Sequence, residues 1–234
     1  MAELLVDQGN SRLKLGWLDE GLREIAIAEL DQIAAQLPAH PDRVWVSSVA
    51  GEDHTMALRT ALARLRVEVR EVSVERYRRH LPTHYAADQL GVDRWLAALA
   101  GYDSAQGSCV VVDAGTATTI DLVDASGVHQ GGYILAGEAL ATGALLAHTA
   151  IRLDDAAPDC LGGVPRATRE AIRCGGLAAQ ASLVERARSD LGEGCRVFIG
   201  GGNGDVLCPY LRSEHEKMPQ LVLQGLACLA RREG

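Results

Sequence analysis

One arrangement occurs twice in this chain, and it restricts the fold more than anything else in the sequence. Residues 4–11 read Leu4-Leu5-Val6-Asp7-Gln8-Gly9-Asn10-Ser11, and residues 110–119 read Val110-Val111-Val112-Asp113-Ala114-Gly115-Thr116-Ala117-Thr118-Thr119. Each copy is an apolar run suited to a buried strand, then Asp-x-Gly, then small hydroxyl or amide residues, then a second apolar strand. Each therefore puts a carboxylate and a glycine turn at the end of a strand. Two such copies suit a two-lobed phosphotransferase that holds nucleotide phosphates and a metal ion between them.

The patterning around each copy repeats as well. Strands are predicted over 2–6, 12–18 and 22–28, a helix over 29–37, a strand over 44–49, a helix over 53–65 and a strand over 67–74. The second half gives strands near 108–113, 117–123 and 127–134, a helix over 138–149, a loop over 154–165 and a helix over 166–191. A strand at 195–199, a glycine turn at 200–204 and helices over 204–212 and 220–232 follow. Residues 85–105 bridge the halves, with a helix over 92–101. The expected class is α/β, two βββαβα lobes from one duplication, divided into residues 1–100 and 101–234.

Composition narrows the functions. With 47% hydrophobic but only 4% aromatic residues, the core must be aliphatic. A formal net charge of -8 makes general nucleic-acid binding a poor expectation, since that relies on cationic side chains meeting phosphates. A phosphorylated ligand would need local cations or backbone N–H groups. The six cysteines show no CxxC spacing and no accompanying histidine pair, so zinc is not expected and the thiols read as reduced. Residues 1–6 are too short an apolar run for a signal peptide, and no stretch approaches a membrane span of ~18 apolar residues. The expectation is a soluble cytoplasmic protein with no nucleic-acid or membrane partner.

In the first copy, Gly9 permits a turn with positive φ and lets phosphate oxygens approach the backbone. Asn10 and Ser11 offer donors, and Lys14 on the next strand can reach a phosphate. Asp7 cannot bind phosphate directly; its useful role is to hold Mg2+ against the phosphates. Alone, this segment reads equally well as an ordinary hairpin turn, and the second copy favours the phosphate reading. Asp113, Gly115 and Thr116 follow the same logic. Asp121 is read as a solvent-facing strand residue, with a second site carboxylate as the alternative. Two readings of Asp93 stand: a first-turn acid of a helix, or the group that takes a proton from a hydroxyl while Arg94 grips an acidic group. Gly200-Gly201-Gly202 reads as a strand-to-helix turn or as backbone laid against a flat base. Arg76, Arg78, Arg79 and His80 read as solvated surface, and Cys109 and Cys195 as core.

These segments together resemble the type III pantothenate kinases, of the acetate and sugar kinase, heat-shock protein and actin superfamily. The resemblance covers nearly the whole chain. It is carried by Asp7 to Ser11 with Lys14, by Tyr85 with Leu90-Gly91-Val92-Asp93-Arg94, and by Asp113 to Asp121. Gly131-Gly132-Tyr133-Ile134, Thr168-x-x-Ala171-Ile172-x-x-Gly175, Gly200 to Gly202 and Leu221 to Leu226 complete it. It implies ribonuclease H-like lobes of the actin-like ATPase type with a nucleotide cleft between them. It implies phosphorylation of pantothenate by ATP, the first step towards coenzyme A, in a homodimer with the active site near the subunit interface. Asp93 matches the catalytic base. Asp7, Gln8, Gly9, Asn10, Ser11, Arg12, Leu13 and Lys14 match the first phosphate loop, with Asp7 near Mg2+, and Thr116 matches an ATP contact. Tyr85, Gly91, Val92, Asp93, Arg94 and Thr168 match the pantothenate-binding set, and Asp113 matches the ligand of an activating monovalent cation, K+ or NH4+. Ala136-Gly137 departs from the family's usual Pro-Gly. Two alternatives are a superfamily kinase with another substrate, which the Gly-Val-Asp-Arg segment disfavours, and a nucleotide-binding regulator, which would need no Asp93.

Overall fold

The computed structural model describes residues 1–9, 12–25, 30, 33–86, 88–153 and 163–234. The chain forms two compact units, residues 1–104 with 220–234, and residues 105–219.

The first unit is built on a five-stranded sheet. Strands β1 (Glu3–Gln8), β2 (Leu13–Leu18) and β3 (Leu22–Ile25) form an antiparallel meander, while β4 (Arg43–Ser48) and β5 (Glu68–Glu71) add in parallel on the other side of β1. The order is β3-β2-β1-β4-β5. All six residues of β1 are buried: Leu4, Leu5 and Val6 form its apolar centre, and the polar Glu3, Asp7 and Gln8 lie at its ends. Leu4 and Val6 pack with Val44, Val46, Leu58 and Leu62, the last two from α2 (Glu52–Ala63). Each such side chain contributes roughly 1.5–3 kcal/mol by leaving water. Helix α1 (Ile33–Gln36) adds Ile33 to this core, and α3 (Val74–Tyr77) follows β5, its start capped by Ser73. That cap ends β5 early, so the extended run expected to 74 stops at Glu71. Helix α4 (Val92–Ala105) buries Arg94 through Gly101 without a break. The expected β3 residues 26–28, and residues 29, 31 and 32 of the expected helix, lie outside the described residues.

The second unit repeats the plan. Strands β6 (Cys109–Ala114), β7 (Ala117–Val123) and β8 (His129–Ala136) form the meander, followed by α5 (Glu138–His148) and α6 (Thr168–Leu191). Strands β9 (Arg196–Gly200) and β10 (Glu216–Lys217) add in parallel beside β6, with the short α7 (Gly204–Leu207) between them. Read from the third strand, both sheets have the order third, second, first, fourth, fifth, with the same parallel and antiparallel pairings. The doubled βββαβα reading is therefore the architecture of the molecule.

Several sequence readings change. The last helix, α8 (Leu221–Glu233), belongs to the first unit, not to the second lobe as the 101–234 division had it. It packs on β1, β2 and β4 and buries Leu221, Val222, Leu223 and Leu226, so its apolar stripe is satisfied there. Asp121 is buried, not solvent-facing, and meets the buried His129 at 2.9 Å, because β8 carries that ring across the sheet. Arg79 and His80 are tied to Glu233 of α8. Cys109 and Cys195 are core residues, and burial pushes the Cys109 thiol up to about 12. Cys174 is disulfide-bonded, so the reading of reduced thiols is corrected there. Among the described residues, no helix is long and apolar enough to cross a membrane.

Candidate functional site

The first group of candidate residues lies in the first unit, at the end of β1 and at the start of α4. Asp7 is buried at the end of β1, with Lys14 of β2 as its partner on one side and Ser47 of β4 on the other. Residues paired in register point to the same face, so Lys14, Asp7 and Ser47 form one row. Gln8 points to the opposite face. Its amide nitrogen donates to the His54 carbonyl at 3.0 Å, and its amide oxygen accepts from the Ser48 hydroxyl at 3.0 Å. The Gln8 side chain is thus engaged with the α2 side of the sheet, apart from the Asp7 row. The turn after β1 closes with the Gly9 N–H donating to the Arg12 carbonyl at 3.0 Å. Gly9 is not among the glycines with positive φ, so the left-handed turn expected there is not what it supplies. Arg12 is exposed and Leu13 is half-buried at the start of β2, while Asn10 and Ser11 lie outside the described residues.

At α4 the candidates come together. The Asp93 carboxylate folds back on its own helix start and accepts the Arg94 N–H at 2.8 Å. A Cβ on Gly91 would stand 2.5 Å from that carboxylate, so residue 91 must be glycine for Asp93 to hold this position. Val92 opens the helix, and the buried Trp95 anchors it by donating its indole N–H to the Leu81 carbonyl at 2.9 Å. Arg94 is only 7% exposed, and its guanidinium lies 5.6 Å from the centre of the Tyr85 ring. A shielded cation on an aromatic face is a sound receptor for a carboxylate. Of the two readings of Asp93, the first-turn acid is the one this geometry displays.

The second group lies in the second unit. Asp113 is half-buried near the end of β6, paired with Thr119 of β7 and Gly200 of β9. The turn after it is held from three directions. The Asn203 N–H donates to the Ala114 carbonyl at 2.8 Å, the Asn203 side-chain amide to the Gly115 carbonyl at 3.2 Å, and the Gly137 N–H to the Thr116 carbonyl at 3.0 Å. A Cβ on Gly137 would stand 2.5 Å from the Gly115 oxygen, so the close approach depends on glycine. Buried Thr118 donates to Gln180 at 2.9 Å, and Gln180 in turn donates to the Ala136 carbonyl at 3.4 Å. With these carbonyls engaged inside the protein, Thr116 stands exposed at the tip. Thr168 is exposed as the first residue of α6. Sequence reasoning missed Asn203, Gly137 and Gln180 as supports. Only the glycine run before Asn203 signalled any of them.

The donor chemistry suits the expected cations. Hard cations take oxygen ligands, and Mg2+ is commonly held by one or two carboxylates together with substrate phosphates and water. Asp7 and Asp113 are carboxylates at strand ends of that kind. Among the described residues, no group of three or more His, Cys, Asp or Glu side chains forms an enclosed metal cage.

The chain is similar to known proteins over nearly its whole length. The family model of type III pantothenate kinase matches residues 3–190. Type III pantothenate kinases of Aromatoleum aromaticum and Dechloromonas aromatica are 37% and 34% identical to this chain, covering 98% and 96% of it and 98% and 97% of their own lengths. Among solved structures, a Campylobacter jejuni protein of the Baf family matches with a TM-score of 0.67 at 21% identity, covering 98% of both chains, which shows a shared fold. The chain belongs to the type III pantothenate kinase family.

Proposed function

We propose that this chain transfers the γ-phosphoryl group of ATP to the primary hydroxyl of pantothenate, giving 4'-phosphopantothenate for coenzyme A synthesis. Family membership supports the reaction. The observation that carries the residue assignment is the start of α4, where Asp93, Gly91, Arg94 and Tyr85 converge.

Arg94, stacked on Tyr85, takes the pantothenate carboxylate, with Gly91 and Val92 forming the floor and Thr168 a further contact. Asp93 orients the attacking hydroxyl and accepts its proton as the new O–P bond forms and the bond from Pγ to ADP breaks. In phosphoryl transfer such a base acts largely by positioning. The segment from Gly9 to Lys14 and the Thr116 turn take phosphate oxygens through backbone N–H groups, Lys14 and hydroxyls. Asp7 is the residue that would hold Mg2+, and Asp113 the one that would hold K+ or NH4+; bound cations there offset phosphate charge. We place the enzyme in the cytoplasm as a homodimer.

The test is ADP production from ATP and Mg2+ by the purified protein, with and without pantothenate, in K+ and in Na+ buffer. Pantothenate-dependent, K+-stimulated turnover is expected. Turnover without K+ stimulation would remove the Asp113 role. No turnover by folded, ATP-binding protein would overturn the substrate assignment.

A further inference from the structure

Two adjacent serines end β4, and their surroundings differ. Ser48 bonds Gln8 at 3.0 Å and meets Thr55 at 3.2 Å. Ser47 is 0% exposed, and its hydroxyl has no hydrogen-bond partner among the described residues. A buried hydroxyl without a partner loses its hydration and gains nothing in return, so such a group needs a reason to be there. Alanine would fill the position without that cost.

The place of Ser47 supplies the reason. It is the register partner of Asp7, on the same face and in the same row as Lys14. It is also shut off from solvent, so a substrate cannot be its direct partner. The indole N–H of Trp45, two residues earlier, also lacks a partner among the described residues; there the ring, packed against the Arg43 and Arg70 guanidinium groups and Tyr77, is what holds the residue in place.

We infer that Ser47 is a positioning residue for Asp7: its hydroxyl becomes a donor to the Asp7 carboxylate when a Mg2+–nucleotide complex draws that carboxylate into its bound orientation. The inference rests on the reading of Asp7 as the Mg2+-holding residue. It assigns the orphaned donor to the loaded state, where a carboxylate oxygen behind a cation has lone pairs to satisfy. The ligand-free protein bears the cost of the unmet hydroxyl, and the bound state recovers it.

Ser47→Ala, Ser47→Thr and Asp7→Asn in the full chain test this. Thermal melting of ligand-free Ser47→Ala is expected at or above the wild-type midpoint, because no bond is lost. Calorimetric binding of ADP is expected to weaken about tenfold in Mg2+ and to stay unchanged in EDTA. Half-maximal turnover should need several-fold more Mg2+, with the KM for pantothenate unmoved. Ser47→Thr, which keeps the hydroxyl, should recover the Mg2+ dependence. A lowered melting point of ligand-free Ser47→Ala would mean that the hydroxyl already bonds in that state, and would overturn the inference. So would wild-type Mg2+ dependence in Ser47→Ala while Asp7→Asn loses it. If Asp7→Asn itself binds Mg2+–ADP like the wild type, the Asp7 reading falls, and this inference with it.

Discussion

At residue 91 any side chain would compete with the Asp93 carboxylate for space, so the glycine decides where the proposed base sits. A Cβ there would stand 2.5 Å from the Asp93 carboxylate. Gly91→Ala must therefore push Asp93 aside, whereas Asp93→Asn leaves its shape in place and removes its basicity. Asp93→Asn is expected to keep the wild-type melting point and ADP affinity while turnover falls by ~10²–10⁴-fold, the usual contribution of a positioned base. Gly91→Ala is expected to lower turnover as well, but with a raised KM for pantothenate, because Arg94 shares the same helix start. Wild-type turnover in Asp93→Asn would remove the base assignment. Both residues were legible in the sequence, because Gly-x-Asp-Arg before an apolar helical run is a local pattern. Ser47, Asp121 and Gln8 were not. Their surroundings depend on which residue of another element stands beside them, and register is not written in any one strand. Gly9 shows the opposite error: a glycine at a turn suggested positive φ, and the backbone there does not use it.

At the scale of elements, the repeated strand-turn-strand units were legible because each is a contiguous pattern of apolar runs and turn residues. What braces them was not. The β6–β7 turn is supported by Asn203 after β9, by Gly137 after β8 and, through Ala136 and Thr118, by Gln180 of α6. These are far apart in sequence. The same long helix fixes the approach to β10: Glu185 of α6 accepts the N–H groups of Arg212 at 2.7 Å and Ser213 at 2.9 Å, and the Ser213 hydroxyl at 3.1 Å. Burial acts to raise the Glu185 carboxyl, but the Ser213 and Arg212 N–H bonds outweigh it and hold the group below its ordinary value. A depressed folded value means stability that is present above the unfolded value of 4.5 and is lost as pH falls through the lower, folded one. Glu185→Gln is therefore expected to cost about 1 kcal/mol at pH 7, less than a fully buried charged bond because the site is partly solvated. The gap should narrow as the pH falls below 4.5. Thermal melts of both proteins across that range check it, and a gap that stays constant or widens would show that charge has no part in this bracket.

Over the whole molecule, one surface stands out by its exposed apolar side chains. Helix α5 is rich in leucine and alanine, yet none of its residues is buried. Leu140, Leu145 and Leu146 are 52%, 41% and 38% exposed, and Ile134 of the adjoining β8 is 62% exposed. Leucines at these offsets lie around more than one side of the helix, so a small rotation onto its own sheet would not cover them all. An apolar helix of this kind is expected in a core, and exposed apolar side chains gathered on one element are a feature of interaction surfaces. The homodimer proposed above would supply the cover: a second copy packed on α5 about a two-fold axis would bury the exposed leucines of both copies at once. A stable interface of this kind needs roughly 800 Å² from each partner, so exposed leucines at its centre should act as anchors. Leu140→Glu combined with Leu145→Glu places four carboxylates in the proposed dimer interface, two from each copy. Light scattering is expected to give a dimer for the wild type and a monomer for the double variant, with matching circular dichroism showing that the fold persists. Activity should fall with dimer content as the protein is diluted, if the substrate site needs the neighbouring copy. A wild-type protein that is monomeric at micromolar concentration, or a double variant that stays dimeric, would move the interface away from α5.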